Sequence, residues 1–194
     1  YSAVVFLVTD YIGKNADWIR RDEQTIIDRL IPNISWTEEQ LNAEMGRLRE
    51  MASYPLLTWE EIEEMAQAGI EFHSHSHTHP FISTINAEAL KSELAQSKTI
   101  VEDKLQKKMD GFCYPYSDYH NPEVARLLSE TGYQGAFVGD FAEGIRQEHR
   151  RFFISRVPVW EHTTDFEFKF FFSSGYPLYR TIVRNVKKLR SGSG

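Results

Sequence analysis

The alternation of buried strands with amphipathic helices is the sequence feature that most constrains how this chain can fold. Residues 3–8 form a continuous apolar run rich in branched side chains, which predicts a strand buried on both faces. Further strands are predicted to end at about Ser74 and to span 111–115, 134–138 and 153–159. Helices are predicted at 37–51, 58–69, 86–108, 124–131, 165–172 and 178–190. Because helical crossovers join parallel strands, this order predicts an α/β fold, either a barrel or an open sheet wrapped by helices.

Several helix starts carry local sequence signals. Thr37 with Gln40 and Thr58 with Glu61 have the spacing of capping boxes, and Asn86 is expected to cap the helix that follows it. Asn121 before Pro122 predicts another helix start. Residues 9–13 are expected to form a turn, and the polar stretch 14–33 has no such pattern and is expected to be irregular. The charged residues predicted to face water on the helix at 86–108 are Lys91, Glu93, Glu102 and Lys104.

Length and composition limit the domain organisation and the partners. At 194 residues the chain has the size of one domain, predicted at 1–177, followed by a basic amphipathic helix at 178–190 and a linker-like tail at 191–194. A domain seldom begins on a central strand, so residues that precede Tyr1 are expected to be missing. The net charge of -6 gives no electrostatic reason to expect nucleic acid as a partner. The single cysteine, Cys113, excludes an internal disulfide.

Residues 71–80 hold four of the seven histidines and are the strongest candidate for a metal site. Imidazole is the commonest metal ligand among side chains, and a catalytic zinc takes three protein ligands and one open position. His75 and His79 can converge on one ion if the chain between them turns once. His73, His75 and His77 would instead share one face of a strand, although Pro80 disfavours a long strand here.

Two alternatives remain for these histidines. One is a solvated loop, or a tag-like segment, that binds metal only by accident. The other is the His-x-His opening of amidohydrolases or of polymerase-and-histidinol-phosphatase-like hydrolases, which usually lies on the first strand of the barrel. Here the cluster follows about seventy residues and a well-capped helix.

Two polar segments are predicted to meet at one edge of the strands. The histidine loop follows the strand that ends at about Ser74, and residues 114–117 follow the next one. In barrels of parallel strands the chemistry lies where strands end and their loops begin. The two segments are therefore expected to share a site.

Several motifs together resemble the polysaccharide deacetylases, the NodB-homology domains of carbohydrate esterase family 4. Residues 69–80 resemble the second motif of the family, His-Ser/Thr-x-x-His-Pro, and 56–62 resemble the helix before it. Residues 112–117 are similar to the third motif in the Tyr-Pro-Tyr-Gly branch, and 155–159 to a late barrel strand. The resemblance runs from Val4 to about Phe172 and implies a distorted (β/α) barrel of the NodB type, here without its N-terminal strand.

The chain departs from the family pattern at several points. The first motif, a pair of aspartates that supplies a metal ligand and the general base, would precede the strand at 4–8 and is absent. Asp10 does not replace it, because Asp10 follows that strand. Cys113 and Ser117 stand where arginine and glycine are usual, and no Leu-x-His motif for a general acid is evident.

The resemblance implies metal-dependent removal of acetyl groups from an N-acetylated polysaccharide, with zinc the preferred divalent ion. His75 and His79 would be metal ligands, and Tyr116 would mark the backbone amide of the oxyanion site. His162 is a candidate general acid or an exposed loop residue without a role. Arg156 would orient the base or form a structural ion pair.

The resemblance also implies a set of residues that contact the sugar. These are Tyr114, Pro115, Tyr116 and Trp160. Tyr116 and Trp160 would stack on a sugar ring, or else take part in ordinary barrel packing.

The resemblance implies an extracytoplasmic protein that acts on cell-wall or exopolysaccharide amino sugars. Because the aspartate pair is missing, the chain by itself is expected to have little activity. The alternative is a carbohydrate- or partner-binding domain that kept the fold and lost the chemistry. The basic helix at 178–190 would either cover the barrel or contact a membrane surface or another subunit.

Overall fold

Five short strands and seven helices make up the described part of the chain. The computed structural model describes residues 3–30, 37–139, 147–157, 159, 163–171, 173, 175 and 176. The strands are β1 (Val4–Leu7), β2 (Glu71–Ser74), β3 (Gly111–Cys113), β4 (Gly135–Val138) and β5 (Ile154–Ser155). The helices are α1 (Trp18–Arg21), α2 (Glu23–Leu30), α3 (Glu38–Met51), α4 (Trp59–Gln67), α5 (Ala87–Leu105), α6 (Val124–Glu130) and α7 (Asp165–Phe171). Short 3-10 turns lie at Thr9–Tyr11, Ile82–Thr84, Pro115–Ser117 and Gln147–Phe152.

The strands form one parallel sheet in the order β1-β2-β3-β4-β5. In the register, Phe6 of β1 lies opposite His73 of β2, and Phe112 of β3 lies opposite Ala136 of β4. Every described strand therefore ends at the same edge of the sheet. The α/β class with parallel strands, predicted from the alternation of patterns, is confirmed.

The sheet is strongly curved. Neighbouring strands lie about 4.8 Å apart, so β1 and β4 would be separated by about 14 Å in a flat sheet. The rings of Phe6 in β1 and Phe137 in β4 nevertheless have centroids only 5.5 Å apart. Phe6 also lies 6.1 Å from the ring of His73. The inner faces of β1 and β4 thus turn toward each other, as expected for a barrel-like arrangement.

The main core lies between the outer face of the sheet and the helices that cover it. Strand residues Phe72, Phe112 and Ala136 pack there against Ile62 of α4 and Leu94 of α5, and all five side chains are buried. Each fully buried large apolar side chain of this kind contributes about 1.5–3 kcal/mol relative to exposure. This packing holds the strand ends in fixed positions beneath the loops that follow them.

The predicted caps are present at three helices. Thr37 and Gln40 at α3, and Thr58 and Glu61 at α4, form complete capping boxes. At α5, the Asn86 side chain accepts a hydrogen bond from the Ala89 N–H at 2.9 Å. This helix ends at Leu105 and not near 108, because Gln106 adopts a left-handed conformation with φ of 50°.

The prediction of an irregular stretch at 14–33 is wrong for the residues described. The segment contains the helices α1 and α2, while the 3-10 turn at Thr9–Tyr11 agrees with the turn predicted at 9–13. Ile19 and Ile26 are buried at a spacing of seven residues, which is two helical turns. The surrounding charged residues masked this sparse apolar stripe in the sequence.

Two predicted strand boundaries and one predicted cap are also wrong. Strand β3 stops at Cys113 because a 3-10 turn begins at Pro115, and β5 contains only Ile154 and Ser155. Helix α6 begins at Val124 as predicted, but the Asn121 side chain accepts from the Glu123 N–H and donates to the carbonyls of two residues before α5. Asn121 thus fastens a loop and does not cap the helix.

The chain divides into two compact units, residues 1–155 and 156–194. In the second unit, α7 has a capping box in which Thr164 and Glu167 exchange hydrogen bonds. The predicted helix at 178–190 and tail at 191–194 lie outside the described residues, so the domain bounds at 177 and 190 stay predictions. Among the helices described, none combines the length and apolar character needed to cross a membrane.

Candidate metal centre

The segments that follow β2 and β3 meet at the carboxyl edge of the sheet. The rings of His75 and His79 are perpendicular, with centroids 4.8 Å apart. The ring of Tyr116, in the turn after β3, lies 4.6 Å from that of His79. The expectation that the histidine loop and the segment after the next strand meet is confirmed by these contacts.

His75 is held in a defined tautomer. Its Nδ1 lies 2.7 Å from the carbonyl oxygen of Cys113, at the end of β3. A carbonyl oxygen can only accept a hydrogen bond, so Nδ1 carries the proton and the ring lone pair is on Nε2. A backbone carbonyl that fixes the ring in this way is typical of metal-binding histidines.

His79 is a buried, neutral imidazole. Its residue is 6% exposed, and Trp18 stacks on the ring at 4.8 Å between centroids. Burial, reinforced by the neighbouring His75, lowers the pKa of His79 well below 6.5, so the ring retains a lone pair near neutral pH. Its Nδ1 is buried and has no hydrogen-bond partner among the described residues. Both imidazoles therefore suit a divalent metal in chemistry and protonation.

The described residues provide only two ligands of such a site. No group of three His, Cys, Asp or Glu side chains that could hold a metal occurs within the described ranges. His77 Nδ1 lies 2.8 Å from the Thr9 hydroxyl, and the Gly111 N–H donates to His73 Nδ1 at 3.3 Å. The other two histidines of the cluster are thus engaged elsewhere.

The histidine loop, residues 75–79, contains two residues in the left-handed region. Ser76 has φ of 69° and His79 has φ of 59°, values that favour glycine. The buried Ser76 hydroxyl accepts from the His79 N–H at 3.0 Å, and the Ser74 hydroxyl accepts from the Ser76 N–H at 3.1 Å. These side chains replace backbone partners and allow the tight turn that brings His75 and His79 together.

Charged side chains from two helices complete the hydrogen bonds of this loop. The Glu93 carboxylate of α5 accepts from the N–H groups of His77 and Thr78. The Arg21 guanidinium of α1 donates to the carbonyls of Thr78 and His79. The prediction that Glu93 faces water is therefore wrong, because the loop amides bind its carboxylate.

Asp22 connects α1 with the turn after β3. Its carboxylate accepts from the Tyr116 hydroxyl at 3.0 Å and from the Arg21 guanidinium at 2.7 and 2.8 Å. Burial and the charge of Asp22 raise the pKa of Tyr116 far above its ordinary value of 10, so the hydroxyl remains a donor. Tyr116 has φ of 54° and stacks on Phe81 at 4.1 Å between centroids.

The predicted sugar-binding residues have different positions. Tyr114 is 1% exposed, and Pro115 is buried as well. Both side chains pack inside the protein, and the contact of these two residues with a polysaccharide stays a prediction. Trp160, predicted to stack on sugar, lies outside the described residues. Tyr116 remains at the centre of the site.

The two remaining predicted catalytic residues stay untested. His162 lies outside the described residues. Arg156 belongs to the unit 156–194, which is described by itself. Their roles as general acid and as orienting residue remain predictions.

Sequence reasoning missed four residues at the site. These are Trp18, Arg21, Asp22 and Glu93. The two-turn spacing of Ile19 and Ile26 could have predicted helices α1 and α2, but no local pattern indicates what a single charged side chain will contact.

Comparisons with known proteins agree with this architecture. A sequence model of the family described as polysaccharide deacetylase matches residues 1–136. YxkH of Bacillus subtilis (strain 168), assigned to the polysaccharide deacetylases, is 33% identical over 78 residues. That match covers 40% of this chain and 28% of YxkH, so it spans less than a third of that relative.

Several solved structures have a similar fold. The Streptococcus pyogenes deacetylase PplD in complex with acetate has a TM-score of 0.54 and 15% identity, covering 87% of this chain and 94% of PplD. IcaB from Ammonifex degensii has a TM-score of 0.53 and 16% identity, covering 82% of this chain and 57% of IcaB. BC0361, a polysaccharide deacetylase from Bacillus cereus, has a TM-score of 0.52 and 16% identity, covering 87% and 66%. At these identities the likeness concerns the fold.

Proposed function

The chain belongs to the polysaccharide deacetylase family, and from this premise we propose that it holds a divalent metal, preferably zinc, and removes acetyl groups from an N-acetylated polysaccharide. The observation that carries the proposal is the pairing of His75 and His79 at the carboxyl edge of the sheet. Hydrogen bonding to Cys113 leaves the lone pair of His75 on Nε2, and burial keeps His79 neutral.

His75 and His79 would be two of the three protein ligands. A carboxylate from outside the described residues would be the third, as the family resemblance implies. When bound, the metal lowers the pKa of a coordinated water and polarises the acetyl carbonyl. Asp22 is not the proposed third ligand, because its carboxylate already accepts from Arg21 and Tyr116.

The protein's own groups have separate tasks in the proposed hydrolysis. Water adds to the acetyl carbonyl, the C–N bond breaks, and both protons of the water end on the departing nitrogen, so the products are acetate and the protonated amine. The Tyr116 main chain would lie beside the developing oxyanion, in an orientation that its hydroxyl bond to Asp22 helps to fix. The departing nitrogen takes a proton from a general acid, for which His162 remains the candidate.

The substrate class and location follow from the same proposal. An N-acetylated cell-wall or exopolysaccharide would be reached outside the cytoplasm. Trp18 stacks on His79 and Tyr11 meets Trp18 edge-on at 4.8 Å, so this aromatic wall encloses one side of the histidine pair. The wall would limit solvent access to His79 while the opposite side accepts the acetyl group.

The direct test measures zinc content and acetate release with the same purified protein. Wild type, His75→Ala and His79→Ala are loaded with zinc, dialysed and analysed for metal. Acetate release from N-acetylglucosamine oligomers is then followed with and without a chelator. We expect wild type to retain more zinc than either variant, and any acetate release to stop with chelator and in both variants.

Two results would contradict the proposal. Zinc retention equal in wild type and both variants would show that the histidine pair is not the ligand set. Stable zinc binding and oligosaccharide binding without acetate release would instead favour a non-catalytic carbohydrate-binding domain.

A further inference from the structure

The histidine loop lies between two oppositely charged side chains from different helices. We propose that Glu93 and Arg21 are positioning residues that hold His75 and His79 in the geometry for metal binding. This inference rests on the proposed metal-dependent function, and it assigns a role to two residues that do not contact the metal themselves.

Glu93 binds the amide side of the loop. One carboxylate oxygen accepts from the N–H groups of His77 and Thr78, each at 2.8 Å. The other accepts from the Thr78 hydroxyl at 2.7 Å. A carboxylate can accept all three bonds at once because it has two oxygens and no proton to donate. Glu93 is itself fixed, since α5 packs through Leu90 and Leu94, both fully buried.

Arg21 binds the carbonyl side of the same loop. Its two terminal nitrogens donate to the carbonyls of Thr78 and His79, each at 3.0 Å. The guanidinium also donates to Asp22, and this hydrogen bond raises the pKa of Arg21 above its ordinary value. The planar group therefore joins α1 to the loop with several bonds in a fixed orientation.

Together these contacts provide hydrogen-bond partners for the backbone groups of the loop. Every N–H from His75 to His79 has a partner, and two of the five donate to Glu93. The carbonyls of residues 76 and 77 accept from backbone N–H groups, while those of 78 and 79 accept from Arg21. Ser76 and His79 hold left-handed conformations that need such external support. Without the two charges, the turn that sets the histidine separation would relax.

The experiment compares charge-removing variants with matched controls in the full chain. Glu93→Gln keeps the size of the side chain but presents one acceptor oxygen and an amide donor that opposes the loop N–H groups. Glu64→Gln is its control, since Glu64 is exposed on α4. For the guanidinium, Arg21→Gln is compared with Arg21→Lys and with Arg20→Gln, because Arg20 makes an exposed pair with Asp17 at 3.8 Å.

Three measurements are made on each variant. The zinc dissociation constant is measured by calorimetry, hydrogen exchange is measured at each backbone amide, and imidazole nitrogen shifts are recorded by NMR. We expect Glu93→Gln to raise the zinc dissociation constant about tenfold, in the range known for residues that orient metal ligands. Exchange at His77 and Thr78 should rise at least tenfold, with core amides such as Phe112 changed less than twofold.

The arginine variants add a graded comparison. Arg21→Gln should weaken zinc binding and shift the His79 imidazole signals. Arg21→Lys should recover only part of the affinity, because one ammonium cannot reach both carbonyls and Asp22. Both control variants should stay within twofold of wild type.

Two outcomes would overturn the inference. If exchange in Glu93→Gln rises equally at all amides, Glu93 serves general stability and does not position the loop. If zinc affinity and imidazole shifts match wild type, the loop keeps its geometry without the charges. Should wild type bind no zinc, the proposed function fails in this chain, while exchange and imidazole shifts still decide whether Glu93 and Arg21 hold the loop.

Discussion

Replacing Asp22 by Asn should destabilise the protein and loosen Tyr116. The Asp22 side chain is only 13% exposed and accepts one hydrogen bond from Tyr116 and two from Arg21. Asparagine keeps one acceptor oxygen and turns an amide donor toward the donors of Arg21 or Tyr116. At least one charge-assisted bond is lost and one donor is left facing another.

The magnitude follows from the kind of bonds lost. A hydrogen bond to a charged group contributes about 1.5–3 kcal/mol, and a neutral one about 1 kcal/mol. Arg21 is 42% exposed, so water compensates part of its lost pairing. We therefore expect Asp22→Asn to lower the free energy of unfolding by about 2 kcal/mol, near the lower end of the range for charged groups.

The assay is urea denaturation at neutral pH, combined with a double-mutant cycle. Asp22→Asn, Tyr116→Phe and the double variant are compared with wild type, and a coupling of about 1 kcal/mol is expected for groups in direct contact. Asp17→Asn is the matched control at the opposite end of α1, since the pair of Asp17 with Arg20 is 3.8 Å long and both side chains are more than half exposed. This control should change stability by less than about 0.5 kcal/mol.

A specific result would refute this reasoning. If Asp22→Asn costs no more than Asp17→Asn, the contacts of the Asp22 carboxylate add nothing to stability. A coupling energy near zero with Tyr116→Phe would show that the bond between the two side chains is not formed in solution.

Two further predictions concern the stability of the fold. Gly111→Ala places a methyl group 2.9 Å from two ring carbons of His73, so it should cost about 1–3 kcal/mol in thermal unfolding. In contrast, Gly46→Ala in mid-helix meets nothing within 4 Å and should stabilise by about 0.5–1 kcal/mol; equal effects at both sites would be inconsistent with the close approach. Burial opposes ionisation of Glu102, but its bond from the Met109 N–H helps to lower its pKa below 4.5. Because the pKa of Glu102 is lower in the folded state than in the unfolded state, the ionised side chain stabilises the fold at pH values above the unfolded-state pKa. Glu102→Gln should therefore lower the free energy of unfolding by about 1 kcal/mol at neutral pH. Urea titrations at several pH values should show this difference disappear as the pH falls below 4.5.

Much of the fold could be predicted because its signals are local. Thr58 and Glu61 define the start of α4 within one helical turn, and both bonds of their capping box form. The spacing of His75 and His79 indicated a shared site, which needs only a turn of the intervening chain. The errors arose where one local pattern is compatible with two structural roles. Asn121 has the residue type of a cap, but its amide fastens the segment before α5.

The site was predicted less completely, because its supporting residues are distant in the sequence. Tyr116 and Asp22 are 94 positions apart, and Arg21 and His79 are 58 apart. A charged residue on a helix looks the same in the sequence whether it faces water or binds a loop. Glu93 was assigned to the solvent face for this reason, although its carboxylate holds two amides of the histidine loop.

The sequence by itself determined the parallel α/β class, the positions of most helices and the pair of histidines offered to a metal. These features depend on the period of the apolar residues, on helix caps and on spacings of a few residues. They can therefore be predicted without knowing which distant parts of the chain are in contact. Only the tertiary structure decided that Arg21, Asp22 and Glu93 surround this pair and that Tyr114 is buried. The contacts of these side chains depend on the curvature of the sheet and on the packing of α1 and α5. These bring together charges and backbone groups that are distant in the sequence.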